Sequence, residues 1–252
     1  MKIVVDSIKT FRRLINALAA VADEVTFNIT TEEITVRQID PSRVALVDFA
    51  LSKAFFSEWQ IEKPTKLTVT TKDFMSLLRR THKNDKLTIT QPVENKLALT
   101  FTRPLLNRKF TLSLFQEEKE TTPLPKISFT TKVVMIASAI NQAIADIQLA
   151  SNAATITVNN EKIVLTSVEA ATVDALVEFD KGSEELLILE AAEQAKATFS
   201  LAYLSAILNA GSLVADTVTL QIATNMPLKL QFDVKDKVGT LEYFLAPRIL
   251  PS

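Results

Sequence analysis

Cysteine is absent from all 252 residues. Disulfides and thiolate metal sites are therefore excluded, and a reducing cytoplasm fits. Glycine is nearly as scarce: Gly182, Gly211 and Gly239 stand alone, and no phosphate-cradling loop of the nucleotide-binding kinds can be built from them. A single histidine, His82, leaves histidine clusters and Ser-His-Asp relays nothing to work with. It lies in the polar stretch Arg79-Arg80-Thr81-His82-Lys83-Asn84-Asp85, at the end of an expected helix, without a base–nucleophile pair. Carboxylates are plentiful but scattered, with no pair spaced for general acid–base work. No apolar run is long enough for a membrane-spanning helix. The opening Met1-Lys2-Ile3-Val4-Val5-Asp6 turns charged too soon for a secretory leader. Together these absences argue against an enzyme, and no cofactor or metal is expected.

What is present is a folded chain of substantial core. Hydrophobic residues make up 47% of it, too many for disorder. The formal charge of −1 hides a polarity. Residues 1–117 carry 18 Lys+Arg against 13 Asp+Glu, a balance of +5, and residues 118–252 carry 10 against 16, a balance of −6. A chain so divided can meet a polyanion with one surface and stay soluble with the other.

The pattern repeats. Phe11, Leu14, Ile15, Leu18, Val21 and Ala22 recur at helical steps. Segments 25–29, 34–39 and 44–49 alternate with period two and read as half-buried strands. Then Leu67-Thr68-Val69 reads as a strand, Thr70 or Thr71 as a helix cap with Asp73 placed for a capping box, and Phe74, Leu77 and Leu78 as a helical stripe. Strands are expected at 86–90, 96–102 and 109–115. The second half follows the same plan. Val133, Val134, Ile136, Ala137, Ile140, Ile144 and Ile147 read as one helical stripe, followed by strands at 155–158, 162–167 and 172–179. A strand at 197–199, a cap at Ser200 and a helix with Leu201, Leu204, Leu208 and Leu213 come next, then strands at 217–222, 228–234 and 240–245. Each half thus reads βαβββ-βαβββ, an α+β fold with four helices and antiparallel sheets.

Between the halves, residues 116–126 are charged and interrupted by Pro123 and Pro125. They break both periods and read as an extended linker, although a surface loop within one domain has the same composition. The expected organisation is a domain over 1–117, a connecting loop over 118–128 and a second domain over 129–252.

Three stretches, Ile34–Val47 with its Asp40-Pro41-Ser42-Arg43-Val44, Asn225–Leu230, and Leu241–Ile249 with Leu245-Ala246-Pro247-Arg248, are similar to segments of the PCNA-type DNA sliding clamps of archaea and eukaryotes. The resemblance spans essentially the whole chain. It implies a non-enzymatic processivity factor: a closed trimeric ring of six similar domains around double-stranded DNA, with helices lining the hole and sheets forming the outer wall. It implies a cytoplasmic, nucleoid-associated protein. Its partners would be other clamp subunits, DNA polymerase, clamp loader, flap endonuclease and DNA ligase, engaged through short peptide motifs and with no membrane.

The resemblance also assigns surfaces. DNA-facing residues would be Arg12, Arg13, Arg79 and Arg80, more loosely Lys9, Lys72 and Lys83; from the residues alone these read equally as a solvated helix face. Lys72, Arg79, Arg80 and Lys83 fall at spacings that share one helical side. The corresponding helices of the second half carry almost no base, which points to DNA contact through the first half or to sister subunits in a hetero-oligomeric ring. Ring closure would pair the edge 108–115, with Lys109, Phe110, Leu112 and Leu114, against 172–179, with Val173, Ala175, Val177 and Phe179; Arg108-Lys109 on one edge would match Asp174 and Glu178 on the other. Both strands also fit within one sheet. A partner-motif pocket would be lined by Ile39, Arg43, Val44, Leu46, Leu124, Pro227, Ala246, Pro247 and Ile249, positions that alternation alone reads as core. Rival functions are a checkpoint-type clamp subunit, a carboxylate-dependent enzyme acting on nucleic acid, and a basic DNA-binding module without ring closure.

Overall fold

Strands with one buried face and helices with one apolar stripe need a second layer to cover them. In the computed structural model, which describes residues 1–82, 84–115, 122–168 and 173–249, they find it twice over. The chain divides into two units: Met1–Asp40, Val47–Thr122 and Val234–Thr240 in the first, and Pro41–Leu46, Pro123–Asp233 and Leu241–Ser252 in the second.

In its first half the chain runs β1 (Lys2–Val5), α1 (Ile8–Ala19), β2 (Glu24–Ile29), β3 (Glu33–Ile39), β4 (Ala45–Ser52), β5 (Glu58–Gln60), β6 (Thr65–Thr70), α2 (Thr71–Leu78), β7 (Lys86–Val93), β8 (Lys96–Arg103) and β9 (Leu106–Ser113). Strand orders are β5-β1-β7-β8-β9 and β4-β3-β2-β6. The second half repeats this with β10 (Thr131–Ile136), α3 (Ala137–Gln148), β11 (Ala153–Val158), β12 (Lys162–Ser167), β13 (Leu176–Asp180), β14 (Leu186–Ala191), β15 (Ala195–Ser200), α4 (Leu201–Gly211), β16 (Thr217–Ile222), β17 (Leu228–Val234) and β18 (Gly239–Leu245). Its orders are β14-β10-β16-β17-β18 and β13-β12-β11-β15.

The helices supply the cores. Phe11, Leu14, Ile15 and Leu18 of α1 are buried, and Phe11 meets Phe74 of α2 edge-on at 6.3 Å. Phe27 of β2 packs on Phe74 at 5.8 Å. Each such side chain contributes about 1.5–3 kcal/mol by leaving water. Ile140, Ala143, Ile144 and Ile147 bury the matching face of α3. The repeat reaches individual bonds. Thr26 and Thr68 hydroxyls join β2 to β6 at 2.9 Å, and Thr155 and Thr198 join β11 to β15 at 2.8 Å. The Phe115 amide donates to the Thr68 carbonyl at 3.0 Å, and the Arg248 amide to the Thr198 carbonyl at 2.7 Å. Thr70 caps α2: the Asp73 amide donates to Thr70 Oγ1 at 3.1 Å, and that hydroxyl donates to Asp73 Oδ2 at 2.7 Å, a side-chain pair in place of the carboxylate-to-amide bond of a full capping box.

Five expectations need correction. Val133, Val134 and Ile136 belong to β10, not to a helix, because the β-branched run is held between β14 and β16; α3 starts at Ala137. Each half contains one strand more than βαβββ-βαβββ allows, β5 and β14, both pairing at the far side of the first strand of their unit. The strand expected at 172–179 runs from Leu176 to Asp180, and Thr172 lies outside the described residues. The strand expected to end at Phe115 stops at Ser113; Phe115 instead bridges to Thr68. Ser200 occupies the N-cap of α4, but its side chain makes no capping bond.

Candidate nucleic-acid interface and assembly edges

The amphipathic α1 that buries Phe11 and Leu14 necessarily turns Lys9, Arg12, Arg13 and Asn16 the other way. Lys9 is exposed and Arg12 and Arg13 are half-buried. Lys9 and Arg12 line a cleft of about 490 Å³ together with Asp6, Thr81, His82, Asn84 and Asp85. The first turns of α1 and the turn that follows α2 therefore lie side by side. Lys72 is exposed at the start of α2. That helix ends at Leu78, so Arg79 is its C-cap and Arg80 lies in the turn beyond. The expected single helical face thus does not extend past Arg79, and Lys83 lies outside the described residues. Lys9, Arg12, Lys72 and Arg79 form no ion pair among the described residues.

Sequence reasoning missed the group that holds this turn. Asp85 is buried, and its Oδ2 accepts the His82 amide at 2.8 Å. The same oxygen accepts from Arg108 Nη2, and Arg108 Nη1 donates to the Arg80 carbonyl at 2.7 Å. The Arg108 guanidinium also lies 5.6 Å from the Phe101 ring centroid. One carboxylate thereby ties the basic turn to β9. No spacing rule marks the pair, because Asp85 and Arg108 meet only through tertiary structure.

The second unit has matching helices without the basic residues. α1 and α3 are of equal length, so Ser138, Asn141 and Gln142 stand where Lys9, Arg12 and Arg13 do. α4 set on α2 puts Ala202, Asn209 and Ala210 at the places of Lys72, Arg79 and Arg80. Gln142 spends its amide on Asp146 at 3.0 Å, and Asn209 on Ser205 at 3.1 Å.

β9 and β13 each end a sheet of their own unit. Phe110, Leu112 and Leu114 are half-buried, as are Ala175, Val177 and Phe179, while Lys109 and Val173 are exposed. Leu176 and Phe115 add exposed apolar surface. The charges divide differently from the simple match of Arg108-Lys109 with Asp174 and Glu178. Arg108 is committed to Asp85. Glu178 binds Lys162 at 2.6 Å, and that hydrogen bond and charge raise the Lys162 ammonium above its ordinary pKa. Lys109 and Asp174 remain exposed.

Of the pocket residues, Arg43, Val44, Leu46, Leu124, Pro227, Ala246, Pro247 and Ile249 all belong to the second unit, and Ile39 to the first. The Ala246 amide donates to the Val44 carbonyl at 2.8 Å, which fixes the chain end beside the Arg43 turn. Arg43 sits in the left-handed region at φ 58°. Leu46 is core, 5% exposed. Ile39, Val44, Leu124, Pro227, Ala246 and Pro247 are half-buried, and Ile249 is 94% exposed. Among the described residues no group of three or more acidic or histidine side chains could hold a metal, and no helix is long and apolar enough to cross a membrane.

A family model described as Rad9 matches residues 11–247. The chain is 32% identical to the DNA polymerase sliding clamp of Thermococcus gammatolerans, over 98% of both chains. Its fold superposes on PCNA from Thermococcus kodakaraensis with a TM-score of 0.90 and 29% identity, covering 98% of this chain and 99% of that one. The PCNA2–PCNA3 complex of Sulfolobus tokodaii contains a chain that matches with a TM-score of 0.88 and 25% identity, covering 98% and 99%.

Proposed function

This chain belongs to the Rad9 family and to the DNA polymerase sliding clamps, and from that membership we propose that it joins two further clamp subunits in a closed ring around duplex DNA. The placement of β9 and β13, one in each unit and each ending its sheet, carries the proposal. An end strand presents unpaired amides and carbonyls to another chain. Two different edges pairing head to tail close a ring when the rotation per subunit permits. Lys109 on one edge and Asp174 beside the other carry opposite charge, which favours pairing of unlike edges, antiparallel as both strands already pair within their own sheets.

Inside the ring the first unit supplies the attraction. Lys9, Arg12, Arg13, Lys72, Arg79 and Arg80 draw phosphates without reading bases, so the duplex is held and still slides. The work is topological rather than catalytic, and the chain acts in the cytoplasm on the nucleoid. Short peptide motifs of polymerase, clamp loader, flap endonuclease and ligase dock around Val44, Leu124, Pro227 and Ala246–Ile249, where half-buried apolar groups adjoin an exposed isoleucine. The helices of the second unit carry no lysine or arginine, so the duplex is held by the first units of identical subunits or by sister subunits that supply the missing base. The Sulfolobus tokodaii structure is a complex of PCNA2 with PCNA3.

Retention on DNA of differing topology tests the proposal. The chain, with its loader and any sister clamps of the same cell, should stay on nicked circular duplex through gel filtration and leave when the circle is linearised. Equal retention on open linear duplex would overturn encirclement in favour of a simple basic DNA-binding module.

A further inference from the structure

Pro104 and Leu105 form the two-residue link between β8 and β9, with Arg103 paired to Leu106 across its base. Links of this length between twisted strands favour positive φ at the first central residue or at both. Proline forbids that at the first, where its ring holds φ near about −65°. The reversal falls on Leu105, at φ 63°. Glycine or asparagine takes that second position without strain, and leucine does not. Nor does the side chain recover the cost by burial, since Leu105 is fully exposed and Leu106 beside it is exposed too. A strained residue that also offers apolar surface to water is doubly unfavourable in the isolated chain, which locates its use in contact with another molecule.

We propose that Leu105 is the anchor by which the β8–β9 hairpin of one clamp subunit seats on a second copy of this chain, against the exposed Leu187–Ile188 stretch. The placement rests on the ring reading, in which β9 runs antiparallel to β13 of its neighbour. The start of β9 then lies beside the end of β13 at Asp180. From there the chain turns tightly: the Ser183 amide donates to the Asp180 carbonyl at 3.0 Å, and the Leu186 amide to the Ser183 carbonyl at 3.3 Å. Gly182 allows this turn with φ 98°. β14 follows at once, and its Leu187 and Ile188 are 52% and 41% exposed. Antiparallel pairing therefore brings an apolar tip and an apolar patch to the same end of the joint.

The test separates the two states of Leu105. Leu105→Asn should weaken subunit association about tenfold in sedimentation across a dilution series, as removal of an interface anchor does. In the monomer, reached by dilution or with Leu112→Asp, the same substitution should raise Tm by about 2–4 °C, because strain and apolar exposure are both relieved. Leu187→Gln with Ile188→Gln should weaken association similarly, and adding Leu105→Asn should cost little more. Unchanged association of Leu105→Asn in an assembling wild type would overturn the anchor and leave the ring standing. A wild-type chain that stays monomeric at every concentration would overturn the seat on a second copy together with a ring of identical subunits. A monomer Tm that falls with Leu105→Asn would overturn the strain on which the inference rests.

Discussion

At the scale of single residues, two buried polar groups act in opposite ways. Asp85 is buried and charged, and it organises its surroundings through Arg108 and the His82 amide. Tyr243 is fully buried, set edge-on to Phe232 at 6.2 Å, and burial pushes its phenol well above the ordinary value of 10.0. In the unfolded chain the phenol ionises near the ordinary value; in the fold it does not. Above about pH 10 the unfolded state therefore binds fewer protons than the native one, and stability falls as pH rises. Tyr243→Phe should remove about 1.4 kcal/mol per pH unit from the alkaline slope of unfolding free energy, measured by urea denaturation at successive pH values. Equal slopes in wild type and variant would show that the phenol ionises in place. Neither group was legible in the sequence: Tyr243 read only as part of a terminal strand, and Asp85 as one acid in a polar stretch.

Among elements, α4 shows how packing overrides propensity. Replacing an exposed helical glycine by alanine ordinarily stabilises by about 1 kcal/mol. A Cβ on Gly211, however, would lie 2.3–2.6 Å from the ring of Phe232, which is wholly buried. Gly211→Ala should therefore destabilise by about 1–3 kcal/mol, the range for overfilling a packed core, seen as a lower urea midpoint. Phe232→Leu in the same chain should restore part of the stability, and a stabilised Gly211→Ala would contradict the close approach. The third helix teaches the converse. Val133-Val134-Met135-Ile136 falls at positions that also suit a helical stripe, and only pairing with β14 and β16 makes it a strand. β5 escaped notice because three residues, Glu58-Trp59-Gln60, are too few to show any period.

For the whole molecule the governing quantity is where the charge lies. Every basic group assigned to DNA belongs to the first unit, and α3 and α4 offer amides, alanines and serines instead. Each phosphate that a side chain no longer neutralises lowers the salt slope of binding by about 0.9. Replacing Arg12, Arg13, Arg79 and Arg80 by alanine should thus flatten the plot of log affinity against log salt by about 3.6 units, read by fluorescence anisotropy on a short duplex. Changing Asn141 and Gln142 to alanine should leave that slope where it was. A slope unmoved by the four arginines would transfer the DNA-binding surface elsewhere in the molecule.

The residue order by itself determined the two-fold repeat, the strand and helix faces of most of it, the charge polarity and the membership read from Asp40–Val44 and Leu245–Arg248. Those features are local or periodic, and period and propensity act within a few residues. Alternation reads Leu46 and Ile249 alike as core, and tertiary structure alone decided that Leu46 is buried while Ile249 is exposed. It also stopped α2 before Arg80, gave Glu178 to Lys162, and left Leu105 strained at a hairpin tip. In each case the outcome depends on what another part of the chain brings near, and burial and partner choice are set by that distance rather than by sequence spacing.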